Sequence, residues 1–135
     1  MPDSKKIVLI TEDEPPMLNI LTDKLSENGF DTLQAKNGEE GLKMALEHHP
    51  DLILLDILMP KMDGLTMMKS LREDDWGKNV PVIILTNVSA DTDETLQTIV
   101  KTQPAYYFVK SNSRLDDILE KVKEIITPSS PPQTP

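Results

Sequence analysis

The strongest constraint on the fold is an apolar run at residues 52–55, which ends directly at Asp56. Because polar and apolar residues do not alternate in this run, it predicts a strand that helices cover on both faces. Ligands of such parallel sheets bind at the carboxyl ends of the strands, where Asp56 lies. Pro60 and Gly64 follow and predict a short loop that leaves the Asp56 carboxylate open to solvent. Taken alone, Asp56 could equally end the strand or cap the next helix.

The same pattern, an apolar run followed by a helical segment, recurs along the chain. Three further apolar runs predict strands at residues 7–10, 82–85 and 106–109, and a fifth strand is predicted at residues 30–35. Helices are predicted to begin near Pro15, Asn37, Leu65, Ala90 and Leu115, the fourth ending at about Lys101. Strand and helix therefore alternate five times, which predicts an α/β fold with a parallel sheet and helices on both of its faces. The 30–35 strand is the more polar one and is predicted to lie at a sheet edge.

Composition limits the classes of function. A chain of 135 residues is predicted to form one domain, which we place at residues 1–127. The absence of cysteine excludes disulfides, thiolate chemistry and cysteine-bound metals. A formal net charge of −9 opposes direct binding to nucleic acid or anionic lipid. Residues 128–135 contain four prolines, and this predicts a flexible tail or the start of a linker.

The sequence also lacks the signals of a membrane or secreted protein. No apolar run approaches the roughly 20 residues that a membrane-spanning helix needs. The first six residues are not followed by the long apolar segment of a signal peptide. These features predict a cytoplasmic protein that does not insert into a membrane.

Chemically suited residues follow four of the five predicted strands. Glu12 and Asp13 follow the first strand, Asp56 the third, Thr86 the fourth and Lys110 the fifth. Taken singly, Thr86 is a strand-end hydroxyl and Lys110 a surface charge. Together, at one edge of a parallel sheet, they predict an acidic pocket with a hydroxyl donor and an ammonium beside it.

The three carboxylates of this pocket would repel one another. At 4 Å and an effective dielectric near 20, the repulsion is about 4 kcal/mol for each pair. A divalent cation relieves it, and a set of hard oxygen ligands that leaves room for water favours Mg²⁺.

With these residues in place, the chain resembles a response-regulator receiver domain of two-component signalling over residues 5–126. The resemblance is closest to single-domain regulators of the chemotaxis type. The matching features are the acidic pair Glu12-Asp13, Asp56 with Met59-Pro60 and Gly64 behind it, Thr86 after Ile84-Leu85, and Tyr107 three residues before Lys110. The resemblance implies a flavodoxin-like, doubly wound sheet of five parallel strands in the order 2-1-3-4-5, with five helices.

The resemblance also implies roles for the residues of the pocket. Asp56 would be the phosphoacceptor, and Glu12, Asp13 and Asp56 would arrange Mg²⁺ directly or through water. The backbone carbonyl of Leu58 would complete the protein's share of the metal shell. Phosphoryl transfer to a carboxylate needs positioning and charge neutralisation more than covalent help, which agrees with this arrangement.

The remaining implied roles concern the phosphoryl group and the switch. Lys110 would pair with one phosphoryl oxygen, and the Thr86 hydroxyl would donate a hydrogen bond to another. Thr86 and Tyr107 would then move inward and change the partner-binding surface. Taken by itself, Tyr107 is an ordinary core aromatic.

Receiver domains take the phosphoryl group from a sensor histidine kinase or a phosphotransfer protein. The implied protein is therefore a signalling switch and not an enzyme, because it catalyses only its own phosphorylation and dephosphorylation. Its output would be a separate protein or a C-terminal output domain missing from this chain. The partner would bind the surface of the predicted fourth helix, fifth strand and fifth helix, where two copies could also pair in a dimer.

Two alternatives stay open at this point. A pseudo-receiver would bind partners without being phosphorylated, and two departures from the family pattern keep it open: Ser111 after Lys110 and Asn87 after Thr86. An aspartyl-phosphate hydrolase usually needs a second acid two residues after the nucleophile, where this chain has Leu58. His48 and His49 are predicted to lie at a helix end, where cations suit the dipole, and not in a metal site.

Overall fold

The computed structural model describes residues 6–57, 62, 64–86, 101, 104–109 and 114–126. Its strands are β1 (Ile7–Thr11), β2 (Asp31–Ala35), β3 (Leu52–Asp56), β4 (Val82–Thr86) and β5 (Tyr106–Val109). The helices of this part of the chain are α1 (Pro15–Glu27), α2 (Gly38–His48), α3 (Gly64–Arg72) and α4 (Leu115–Ile126). The helix predicted from about Ala90 to Lys101 lies, except for its last residue, outside the described residues.

The five strands form one parallel sheet in the order β2-β1-β3-β4-β5. The predicted parallel sheet and its strand order are therefore confirmed, and β2 lies at an edge as its polarity predicted. The second strand begins one residue later than predicted, at Asp31. Phe30 lies in the connection between α1 and β2, where its N–H donates to the carbonyl of Leu25 in α1 at 3.1 Å and its side chain is buried.

Helices cover both faces of the sheet, and each face has its own core. Along β3, Leu52 and Leu54 pack with residues of α1 and α4, whereas Ile53 and Leu55 pack with residues of α2 and α3. Successive side chains of a strand point to opposite faces. A strand buried on both faces must therefore be apolar at every position, which is why the 52–55 run shows no alternation.

The start of α2 is fixed by reciprocal side-chain caps. The Asn37 side-chain oxygen accepts a hydrogen bond from the Glu40 N–H at 2.8 Å. The Glu40 carboxylate in turn accepts one from the Lys36 N–H at 2.9 Å. Such pairs satisfy backbone donors that a helix leaves without partners at its first turn. The helix ends at His48, and His49 adopts a left-handed conformation with φ 48°.

Gly41 brings α2 into direct contact with the end of β1. A Cβ atom at Gly41 would lie 2.8 Å from both Cγ2 and Oγ1 of Thr11 and 3.1 Å from the Met67 sulfur. Such distances are shorter than side chains tolerate in a packed interior. Only glycine therefore allows α2 to lie this close to β1, one residue before Glu12.

Among the described residues, no helix has the length and apolarity that crossing a membrane requires.

We expect Gly41→Val to lower the free energy of unfolding by about 1–3 kcal/mol, because the added carbons must displace Thr11 or Met67 in a packed core. Urea denaturation measures the difference. The matched control is Lys43→Val, the same side chain at an exposed position of α2, which should change stability by no more than about 0.5 kcal/mol. A Gly41→Val protein as stable as the control would contradict the close contact.

Candidate functional site

Three carboxylates meet at the carboxyl edge of the sheet. Asp56 is the last residue of β3, and Glu12 and Asp13 directly follow β1. Strand register explains the meeting, because Thr11 pairs with Leu55 in the parallel ladder and the next residues are therefore neighbours. One carboxylate oxygen from each acid lies within 4.8 Å of the others. The predicted neighbourhood of Glu12, Asp13 and Asp56 is thus present in the structure.

The acids differ in exposure to solvent. Glu12 is 0% exposed and Asp56 is 4% exposed, whereas Asp13 is half-buried. The expectation that Asp56 is open to solvent is therefore wrong. Asp56 ends the central strand of the sheet, with Glu12 and Asp13 beside its carboxylate. Gly64, the first residue of α3, packs against its backbone carbonyl and donates its N–H to the carbonyl of Ile57 at 2.8 Å.

Clustered charge in this partly buried place favours a cation. At a separation near 4.8 Å and an effective dielectric of about 20, each ionised pair repels by roughly 3–4 kcal/mol. The Glu12 carboxylate accepts the Glu14 N–H at 3.2 Å, which helps to orient it. The ligand set is all oxygen, the kind that Mg²⁺ prefers over softer donors. These residues therefore fit a magnesium ion held by carboxylates and water.

Thr86 ends β4 next to this cluster. The ladder pairs Asp56 with Leu85, so the backbone of Thr86 lies one residue further along the same edge. Thr86 is in turn paired with Val109 of β5. The Thr86 side chain and the residues Leu58 and Lys110 lie outside the described residues, and their roles stay predictions.

Tyr107 lies in β5, paired with Ile84. It is 37% exposed, more than a core aromatic would be. The interpretation of Tyr107 as a buried core residue therefore does not hold. Because β5 lies at a sheet edge in the described structure, a change in the tyrosine side chain would alter a solvent-facing surface.

The histidines lie at the end of α2, as predicted. The His49 ring stacks on the indole of Trp76, with ring centroids 4.3 Å apart and planes inclined by 12°. His48 lies 3.9 Å from the Glu47 carboxylate. The acidic cluster contains neither histidine.

Three glycines around the site escaped the sequence reasoning in whole or in part. No pattern in the sequence predicted a role for Gly38 or Gly41, whereas Gly64 was predicted as a turn residue and matches the receiver-domain pattern. Each is in contact so close that a Cβ atom would overlap a neighbour. The sequence did contain one signal of this packing, because a glycine inside a helical pattern often marks a close contact.

Comparison with known proteins places the chain in a family. The family model of the response regulator receiver domain matches residues 8–123. The polar-differentiation response regulator DivK of Brucella anthropi is 39% identical over 89 residues, which are 66% of this chain and 72% of DivK. DivK of Brucella ovis is 38% identical over the same length.

Solved structures share the fold. The receiver domain of Francisella response regulator 1452 superposes with a TM-score of 0.82 at 28% identity, covering 93% of this chain and 100% of that domain. The receiver domain of sensor histidine kinase PA1611 from Pseudomonas aeruginosa PAO1 gives a TM-score of 0.81 at 21% identity, covering 92% and 99% of the two chains. In that second structure a magnesium ion is coordinated in the active site cleft.

We expect Mg²⁺ to stabilise this protein, because an ion held by the acidic cluster would bind only the folded state. At a concentration of 100 times its dissociation constant, Mg²⁺ should add about 2.7 kcal/mol to the free energy of unfolding. Asp13→Asn should remove most of this gain and should raise stability in EDTA, since it relieves repulsion. Thermal unfolding with Mg²⁺ and with EDTA measures both effects.

The matched control for this experiment is Asp23→Asn, the same change at an exposed position of α1. It should respond to Mg²⁺ as the wild-type protein does. Equal stabilisation of the wild-type, Asp13→Asn and Asp23→Asn proteins would contradict binding at the cluster.

Proposed function

Because the chain belongs to the response-regulator receiver domain family, we propose that it accepts a phosphoryl group on Asp56 from a partner histidine kinase or phosphotransfer protein. The observation that carries this proposal is the convergence of Glu12, Asp13 and Asp56 within 4.8 Å at the carboxyl edge of the sheet. The family acts as a signalling switch in two-component systems, and its members interact with kinases and output proteins.

The proposed reaction is a displacement at phosphorus. An Asp56 oxygen attacks the phosphorus of a phosphohistidine, a new P–O bond forms, and the P–N bond breaks with its electron pair returning to the donor imidazole. When bound, Mg²⁺ neutralises charge on the phosphoryl oxygens. Glu12, Asp13 and Asp56 would hold the ion directly or through water, together with the backbone carbonyl of Leu58.

The local structure supports the part assigned to Asp56. Its carboxylate extends from the last residue of a strand that is hydrogen-bonded on both sides, by β1 and by β4. A reacting group held in this way needs little reorganisation when phosphorus approaches. Burial strengthens the attraction between the carboxylates and a bound cation, because water screens the charges less there.

We propose that Lys110 and Thr86 bind the phosphoryl oxygens that Mg²⁺ would not contact. Lys110 pairs with one oxygen, and the Thr86 hydroxyl donates a hydrogen bond to another. Movement of Thr86 towards the phosphoryl group frees space for Tyr107 to turn inward from its exposed position. Such coupling between a site and a surface is typically worth about 1–3 kcal/mol, which is enough to shift a population between two states.

The proposal extends to the organisation of the protein. The receiver domain comprises residues 1–127, and residues 128–135 form a flexible tail or the start of a linker. The phosphorylated state is read by an output protein or output domain at the surface that includes β5 and α4, where two copies could also pair. The protein acts in the cytoplasm, without direct contact to nucleic acid and without insertion into a membrane.

Intact mass measurement tests the phosphoacceptor. After incubation with Mg²⁺ and a small acyl phosphate, the wild-type protein should gain the mass of one phosphoryl group, because attack by Asp56 needs only correct position and neutralised charge on the phosphoryl oxygens. Asp56→Asn should gain none, and EDTA should prevent the gain in the wild-type protein. Asp23→Asn is the matched control and should gain one group.

Each other outcome has a defined meaning. Gain of a phosphoryl group by the Asp56→Asn protein would place the acceptor elsewhere. No gain in the wild-type protein, either with acyl phosphates or with a phosphorylated histidine kinase, would favour a pseudo-receiver. Continuous turnover of the donor that depends on Asp56 would instead favour an aspartyl-phosphate hydrolase.

A further inference from the structure

We propose that Gly38 is a positioning residue for the acidic site, acting through Met62 on Gly64, which packs on the backbone of Asp56. This inference rests on the proposed function, because its consequence is measured as Mg²⁺ binding and phosphorylation. The atoms that a Cβ at Gly38 would meet first all belong to Met62, so its effect passes through that residue.

The first step is the contact itself. The Gly38 N–H donates to the carbonyl oxygen of Met62 at 2.9 Å. As a first-turn residue of α2, Gly38 has an N–H group without a partner inside its own helix. A Cβ atom here would overlap that carbonyl oxygen and would lie 2.9 Å from the Met62 carbonyl carbon and 3.0 Å from its Cβ. Glycine is therefore required for the hydrogen bond at this distance.

The second step is the rigidity of α2 on the donor side. The caps formed by Asn37 and Glu40 hold its first turn. One turn later, Gly41 fixes the helix against Thr11 of β1. The Gly38 N–H is thus presented from a helix that is anchored to the strand leading into Glu12 and Asp13.

The third step leads from Met62 to Asp56. Two residues after Met62, the Gly64 N–H donates to the carbonyl of Ile57 at 2.8 Å. Gly64 also packs on the Asp56 carbonyl, and a Cβ atom there would lie 2.8 Å from the Cα of Ile57. The Met62 side chain packs against the core between the sheet and the helices α2 and α3. Displacing the Met62 carbonyl would therefore disturb Gly64, two residues later, which packs on the backbone of Asp56.

Together these contacts join both halves of the acidic site through one helix. Through Gly41, α2 contacts the strand that leads into Glu12 and Asp13, and through Gly38 it holds Met62, two residues before the glycine that packs on Asp56. The separation of the carboxylates depends on both contacts. Metal sites lose affinity when the groups that orient their ligands are disturbed, typically by about 10- to 100-fold.

The experiment compares Gly38→Ala with the wild-type protein in Mg²⁺ titration calorimetry, in the rate of phosphoryl gain from an acyl phosphate, and in urea denaturation. We expect Gly38→Ala to weaken Mg²⁺ binding by about tenfold and to slow phosphoryl gain at subsaturating Mg²⁺. The control is Val122→Ala, which opens a cavity in the core on the opposite face of the sheet. It should lower stability and leave the Mg²⁺ dissociation constant unchanged.

A second measurement needs no variant. In the wild-type protein, the backbone amide resonance of Gly38 should shift on addition of Mg²⁺, because its acceptor, the Met62 carbonyl, lies two residues before Gly64, which packs on the backbone of Asp56. The amide of Glu39, exposed in the same turn of α2, should shift less. An unmoved Gly38 amide in a protein that binds Mg²⁺ would overturn the proposal even if Gly38→Ala fails to fold.

The outcomes separate this inference from the function on which it rests. A wild-type protein that neither binds Mg²⁺ nor gains a phosphoryl group overturns both. Normal Mg²⁺ binding and phosphorylation in Gly38→Ala overturn only the role of Gly38. Weakened Mg²⁺ binding in Val122→Ala, in proportion to its loss of stability, would also overturn that role, because the effect would then be one of stability alone.

Discussion

Mutual repulsion among three carboxylates is the constraint on which the functional end of this protein depends. Parallel pairing of β1 with β3 brings Glu12 next to Asp56, and the chain direction adds Asp13. Two of these acids are buried, so water screens their charges weakly. The apolar cores on both faces of the sheet supply the stability that lets such a cluster persist. A bound cation would relieve this repulsion, and the relief would make the binding free energy more favourable.

Close backbone packing surrounds this cluster. Gly38, Gly41 and Gly64 all make contacts that a side chain would prevent, and each contact lies along the segments that lead into or out of the acids. Together they let α2 and α3 approach the carboxyl edge of the sheet more closely than helices with larger residues could. Strand register and backbone contacts thus hold the acids in place. Side-chain motion alters such contacts less than it alters contacts between surface side chains.

The fold was largely readable from the sequence, since uninterrupted apolar runs and helical spacing predicted the strands and most helices. The strand order came from the resemblance to receiver domains and is confirmed. The exposure of Asp56 was predicted wrongly, because the local sequence does not show which distant residues, such as Glu12 and Asp13, lie beside it. The contact of Gly38 with Met62 was missed for the same reason: Met62 is 24 positions away (62 − 38), and no local pattern encodes such a pairing.

The most direct test of a cation-binding acidic cluster is a crystal structure grown with Mn²⁺, whose anomalous scattering locates the ion. We expect one strong anomalous peak between Asp13 and Asp56, with carboxylate oxygens about 2.0–2.3 Å from it, near the distances of Mg²⁺ and other hard divalent cations. The Glu12 carboxylate should lie close to the ion or to one of its waters. An anomalous map without a peak at the cluster, at a Mn²⁺ concentration that saturates binding in solution, would show that the acidic cluster does not bind the cation.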